Sequence, residues 1–267
     1  MIDLDAYFNR IGYAGTRDAS MSTLRAIHAL HPAAIPFENI DPLLGRPVRL
    51  ELQALQDKLV RRRRGGYCFE HNSLLRAVLE ALGFAVTPLS ARVVWMAPPE
   101  RPPGPRTHML LRVEIDGASF ITDVGFGGLI LDAPVQLIAN VEQATPHETM
   151  RIVRDGDAYV LQASIATVWQ GTYRFTLEEA ALADYAIGNW YTSTHPQSLF
   201  RNNLLLERLQ TDVRLSLLNR KLTRRFRDGR AESRWLETAG DLARVLADDF
   251  ALDTAGDANA LFERLPV

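Results

Sequence analysis

The sequence has a single cysteine, Cys68, in 267 residues. One cysteine excludes an internal disulfide and every zinc site built from several thiolates. Neither sign of charge dominates: 30 Lys and Arg against 32 Asp and Glu give a net charge of −2 and a sequence pI of about 6.3. A nearly balanced chain argues against a nucleic-acid or membrane-surface partner, since both require a basic field. No run approaches the roughly 18 apolar residues of a membrane span. The opening Met1-Ile2-Asp3-Leu4-Asp5 is acidic and lacks the cationic start of a targeting segment, so a cytoplasmic location is expected. There is no internal repeat and no low-complexity tail.

What is present describes a globular chain. Apolar residues make up 47% and charged residues 23%. At roughly 100–200 residues per domain, one large or two modest domains are expected. The front reads as helical. Leu4, Tyr7, Phe8 and Ile11 have helical spacing, as do Leu24, Ile27 and Leu30, and then Leu52, Leu55 and Leu59. Gly65-Gly66 stops the third helix, and a fourth fits Ser73 to Leu82, ended by Gly83.

The texture then changes. Ala97-Pro-Pro-Glu-Arg-Pro-Pro-Gly-Pro105 can be neither helix nor central strand and is expected to be a surface loop. Alternating runs follow, punctuated by Asp116-Gly117, Asp155-Gly156 and Asp228-Gly229, a hairpin signal because tight primed turns need positive φ. The middle is therefore antiparallel β, a small barrel or sandwich. Residues 177–188 and 241–250 are expected to be helical, with strands near 213–226 and 231–236.

Cys68 follows a Gly-Gly break and begins or immediately precedes the fourth helix. A helix N-terminus carries partial positive charge, which favours a thiolate, and its amides can bind an oxyanion. Free cysteine is also an ordinary small core residue, so a structural role stays open on local grounds. The Arg61–Arg64 run upstream adds positive charge if it folds back; otherwise it is the solvated end of a helix, expected for at least two of the four.

A nucleophilic thiolate needs a base, and the base an orienting group. Of six histidines, His71 lies three residues from Cys68, within a turn. His28 and His31 fall on a helix of the apolar front as surface or core-edge residues; His147 and His195 fall in polar turns, His147 facing solvent. His108 opens the run that turns at Asp116-Gly117. A two-residue turn there sets Leu110 opposite Asp123. His108 and Asp123 then project from one face as diagonal neighbours, roughly 7–8 Å apart at the backbone. The carboxylate would fix the imidazole tautomer. One residue of slippage would put Asp123 on the other face. The glycines of Val124-Gly-Phe-Gly-Gly128 form a plain turn, or a loop presenting Phe126 to a ligand; no helix pattern follows to make it a dinucleotide fingerprint.

These segments resemble the arylamine N-acetyltransferases. Pro36-Phe-Glu-Asn39, Arg64-Gly-Gly-Tyr-Cys-Phe-Glu-His-Asn72, Thr107-His108 at a strand start and Asp123-Val-Gly-Phe-Gly-Gly128 occur in the family's order; Trp190-Tyr-Thr-Ser-Thr-His-Pro-Gln-Ser-Leu-Phe200 resembles it more loosely. The resemblance implies an α+β fold: a helical bundle over 1–88, an antiparallel β-barrel over 89–195 and an α/β lid over 196–267, around a cysteine-protease-like Cys–His–Asp core. It implies catalysis by Cys68, His108 and Asp123, no role for His71, and an acceptor site at Phe37, Phe126, Gly127 and Phe200. It further implies acetyl-CoA as cosubstrate, no metal, and acetyl transfer to arylamines, arylhydrazines or N-hydroxyarylamines through an acetyl-Cys68 thioester with ping-pong kinetics. Cysteine hydrolases and transglutaminases use a similar set. An amide synthase of secondary metabolism lies within the family's reach, and a non-enzymatic module binding small aromatics is the reading in which Cys68 is structural.

Overall fold

A computed structural model describes residues 1–98, 100 and 102–266. The chain opens with α1 (Leu4–Ile11) and α2 (Met21–Ala34), capped by the side chains of Asp3 and Ser20. A two-residue strand, β1 (Phe37–Glu38), and a short α3 (Ile40–Leu44) follow. Next, α4 (Leu52–Leu55) runs on as a π-helical turn over Gln56–Arg61. The fourth expected helix is longer at its start: α5 spans Cys68–Ala81, so Cys68 is its first residue. The apolar stripe that suggested Ser73 as the start omits this first turn. Tyr67 stands at the N-cap, and Glu70 turns its carboxylate back to accept from the Tyr67 amide at 3.1 Å.

Eight strands build the middle: β2 (Ala85–Val93), β3 (His108–Ile115), β4 (Ala118–Thr122), β5 (Val135–Gln136), β6 (Glu142–Ala144), β7 (Thr149–Asp155), β8 (Ala158–Ile165) and β9 (Val168–Phe175). They form one antiparallel sheet in the order β5-β4-β3-β2-β9-β8-β7-β6. The Gln143 side chain on β6 accepts from the Gln136 amide and donates to the Gln136 carbonyl on β5, both at 2.8 Å, tying the two edges into a nearly closed barrel. Asp116-Gly117 is a two-residue turn, pairing Ile115 with Ala118; the second turn falls one residue later than expected, at Gly156-Asp157, because Asp155 still belongs to the strand and pairs with Ala158. Within the segment 97–105, Pro99 and Arg101 lie outside the described residues; the others hold neither helix nor strand.

The last third carries α6 (Leu182–Thr194), α7 (Leu199–Asn202), β10 (Leu205–Leu209), β11 (Val213–Leu218), β12 (Lys221–Phe226), β13 (Ala231–Trp235), α8 (Ala239–Arg244) with a π turn over Val245–Asp249, and α9 (Ala258–Arg264). The stretch 213–226 is two strands, because Asn219 takes a left-handed φ of 54° and folds the chain back. Asp228-Gly229 lies in a wider loop, with Arg225 paired to Ala231. The first helix expected in this part begins at Leu182, five residues late, because the amide of Ala180 is engaged by the Pro88 carbonyl of the barrel.

One long-range pairing orders the site. β1 joins the C-terminal sheet as its edge, with Phe37 opposite Glu207. Three apolar clusters fill the interior. The first joins α1, α2 and α5 to β3, the second packs α3 against the C-terminal sheet and helices, and the third fills the barrel. Among the described residues no helix is long and apolar enough to cross a membrane.

Candidate active site

Cys68, His108 and Asp123 come from three elements that meet where α5 crosses the mouth of the sheet. Cys68 opens α5, His108 opens β3, and Asp123 directly follows β4. All three are buried, with 4%, 2% and 0% of their surface exposed. The Cys68 thiol donates to the Thr107 carbonyl at 3.7 Å, against the residue preceding His108. The two-residue turn sets the register as expected, with Leu111 opposite Thr122, and His108 Nε2 meets Asp123 Oδ2 at 2.7 Å. Nδ1 is therefore the nitrogen free for sulfur.

The electrostatics follow from that geometry. Burial works against a charged imidazole, but the Asp123 carboxylate and the Cys68 sulfur outweigh it and raise His108 to about 10. Burial pushes Asp123 up, but His108 and the donors around it hold the carboxyl below its usual range. Those donors are the Asn72 side-chain amide at 2.8 Å and the Gly125 backbone amide at 2.9 Å, both to Oδ1. Asn72 also donates to the Met109 carbonyl at 2.7 Å and accepts from the Val124 amide at 3.1 Å. It therefore ties the cysteine helix to both strands that carry the other two groups. Such a set can hold a thiolate beside an imidazolium in a dry site.

Asn72 was legible in principle: four residues after Cys68, it lies on the same helix face. Tyr173 was not. It arrives from β9, its ring centroid 4.8 Å from that of His108. His28 was also missed: its Nε2 accepts from the Asp123 amide at 3.2 Å.

The expected acceptor residues are placed as follows. The Phe126 ring stands edge-on to His108 at 5.1 Å and to Tyr173 at 5.3 Å. Phe37 and Phe200 are neighbours at 6.0 Å, and Tyr67 meets Phe200 at 5.8 Å. Gly127 lies against Phe37: a Cβ there would stand 2.3 Å from the ring. At Gly125 a Cβ would stand 2.8 Å from the Cys68 Cα, so only glycine lets this loop lie on the nucleophile helix. The loop's far end is held by Glu207, which accepts from the amides of Gly128 and Ile130 and is paired with the buried Arg214.

The other histidines have separate duties. His71 is fully buried and bonds away from Cys68, with Nδ1 2.8 Å from His31 Nε2 and Nε2 3.2 Å from the Pro36 carbonyl. The expectation that His28 and His31 edge the core needs correction, because both are fully buried. Burial lowers His28 and His71 to about 4 and holds His31 well below its usual range. His147 does not face solvent: Nδ1 lies 2.6 Å from Asp132, and its side chain is 8% exposed. His195 caps the end of α6, stacked on Tyr191.

The arginine run divides. Arg61 pairs with Asp57 and Arg62 reaches the Asp57 carbonyl. Arg64 folds back to Glu38 at 2.7 Å, in a partly buried network with Asp41, Lys58 and Glu70 beneath the start of α5. Among the described residues no group of three or more His, Cys, Asp or Glu side chains is arranged to hold a metal ion.

The N-acetyltransferase family model matches residues 20–258. The arylamine N-acetyltransferase of Mycolicibacterium smegmatis is 44% identical over 255 residues, covering 94% of this chain and 92% of its own. That of Escherichia coli is 44% identical, covering 93% and 88%. The solved structure of the Mycobacterium marinum arylamine N-acetyltransferase in complex with CoA superposes with a TM-score of 0.95 at 39% identity, covering 99% of this chain and 100% of that one.

Proposed function

The chain belongs to the arylamine N-acetyltransferase family, and from that premise we propose that it moves an acetyl group from acetyl-CoA to the nitrogen of an arylamine, arylhydrazine or N-hydroxyarylamine by way of Cys68. The observation that carries the proposal is the buried line from Cys68 through His108 to Asp123, with the 2.7 Å bond at its far end.

In the first stage the Cys68 thiolate attacks the acetyl carbonyl. A carbon–sulfur bond forms and its electron pair passes to oxygen. The first amides of α5 are the donors at hand for that oxyanion. Collapse breaks the bond to coenzyme A, whose sulfur takes a proton from the His108 imidazolium and leaves. In the second stage the amine nitrogen attacks the acetyl-Cys68 carbonyl and gives its proton to His108. Collapse then expels the Cys68 thiolate, and the protonated His108 is ready for the next cycle. Asp123 stays ionised throughout and keeps Nδ1 as the nitrogen that works. Burial of Cys68 shields the acetyl thioester from water. An acceptor pocket edged by Phe37, Phe126, Gly127 and Phe200 suits a flat aromatic amine that is neutral near pH 7. Use of an acyl-CoA donor, an intracellular metabolite, favours a cytoplasmic location.

Varying acetyl-CoA and an aniline-type acceptor together tests the scheme. Parallel double-reciprocal lines, lost with Cys68→Ala, are expected. Intersecting lines, or measurable transfer by Cys68→Ala, would count against it.

A further inference from the structure

Arg63, the one member of the arginine run with neither ion pair nor helical contact among the described residues, points to a second site. With Arg10 of α1 and Arg208 of β10 it lines a cavity of about 260 Å³. The rest of the wall is apolar: Ile11, Leu30, Ala33, Ala34 and Ala251. On β10 successive side chains face opposite ways, so this cavity lies across the strand from Glu207 and the Gly128 loop.

None of the three guanidinium groups forms an ion pair with a carboxylate among the described residues. Arg10 uses Nε and Nη2 on the carbonyls of Leu59 and Arg63, and Arg208 uses Nε and Nη1 on those of Ala33 and Asp249. The carbonyls of Leu59, Ala33 and Asp249 lie in the last turns of helices, which explains why two of the guanidiniums are held in place. They leave Arg10 Nη1, Arg208 Nη2 and all of the Arg63 guanidinium without an acceptor among the described residues. Asp249, the carboxylate that acts on Arg208 among the described residues, binds Arg224 at 2.6 Å. Burial, then the charges of Arg63 and Arg208, lower Arg10 to about 10. Three like charges gathered around one hollow are a cost that an anion would relieve.

We propose that this cavity binds a phosphate-type oxyanion, carried on a small organic group that lies on the apolar wall, at a site separate from the Cys68 centre. Arg10 and Arg208, held by backbone carbonyls, present donors that match tetrahedral oxygens, and the exposed Arg63 can swing in as the third. Five apolar wall residues exceed what a free ion would need, which favours a phosphate monoester over inorganic phosphate.

Calorimetric titration of the full-length protein at constant ionic strength in chloride buffer, with inorganic phosphate and separately with phenyl phosphate, tests this. One saturable site is expected for both, tighter for the ester. Arg63→Gln and Arg208→Gln should each weaken it about tenfold or more, the worth of one charge-assisted hydrogen bond. Arg63 is exposed, so its variant is expected to fold even if the Arg208 variant does not. Alkylation of Cys68 should be unaffected by phosphate. No saturable heat, unchanged affinity in Arg63→Gln, or phosphate slowing Cys68 alkylation equally in wild type and variant would overturn the assignment.

Discussion

His108 presents Nε2, not Nδ1, to Asp123, at 2.7 Å. That bond decides which nitrogen is left for the Cys68 sulfur. Asp123→Asn keeps the shape and reverses the hydrogen-bond logic, because an amide NH₂ facing Nε2 turns it into an acceptor and puts the proton on Nδ1. Loss of about 10³–10⁴-fold in kcat/KM for acetyl transfer is expected, by analogy with the wrong-tautomer effect in serine proteases. The titration of His108, followed by NMR, should fall below about 10, with burial then dominating. A variant with near-normal turnover would show that the carboxylate does not set the tautomer.

The same pair makes stability depend on pH with a definite sign. His108 is raised from 6.5 to about 10, so its contribution is complete below 6.5 and fades as the pH rises through 10. Asp123 is lowered from 3.8, so its contribution is complete above 3.8 and fades as the pH falls through its folded value. The difference in melting temperature between wild type and His108→Gln should be largest between pH 3.8 and 6.5 and shrink toward pH 10. A difference that grew with pH would have the wrong sign.

Asn72→Ala removes two donors and one acceptor from buried partners on β3, Asp123 and Val124. A loss of about 1–3 kcal/mol for each partner left unpaired is expected in denaturant titrations, less what local repacking recovers. kcat should fall more than KM changes, since Asn72 orients Asp123 and lies behind the reacting groups.

At the N-terminus of α5, Lys58 joins Asp41 at 2.7 Å and Glu70 at 2.8 Å. Burial opposes its charge, but Glu70, Glu38 and Asp41 outweigh that and hold it raised. Lys58→Met strands the buried Glu70, while Asp41 keeps Arg64 at 3.4 Å, at a cost of about 3–5 kcal/mol. Adding Glu70→Gln should return part of it, and a double-mutant cycle measures how much. If the two changes were additive, the pair would not be coupled.

Gly127→Ala should drive a methyl into the Phe37 ring, 2.3 Å from its Cβ position. KM for a bulky arylamine should rise while acetylation by acetyl-CoA alone changes less. Phe37→Leu in the same chain should recover binding of a small acceptor.

How much of this could be read from residues alone depended on how local the cause was. The His108–Asp123 relation was legible because one tight turn at Asp116-Gly117 sets the register of a single hairpin. The Cys68 segment was legible because its glycine break and helix start are contiguous. Pairing of Phe37 with Glu207 was not, since nothing near either residue encodes a partner so far along the chain. The turn at Ala166-Thr167 was hidden for another reason: both residues take positive φ, 48° and 69°, without the glycine or asparagine that usually marks such a turn. His147 looked like a loop residue because its partner, Asp132, is brought to it only by the fold.

The central claim is that Cys68 carries the acetyl group. Intact mass of the protein after incubation with acetyl-CoA alone, followed by peptide mapping and then addition of an arylamine, tests it most directly. A single acetyl adduct on the peptide holding Cys68, discharged by the amine and absent from Cys68→Ala, is the predicted result. Transfer to the amine by protein that never acquires the adduct, even when quenched within one turnover, would contradict it.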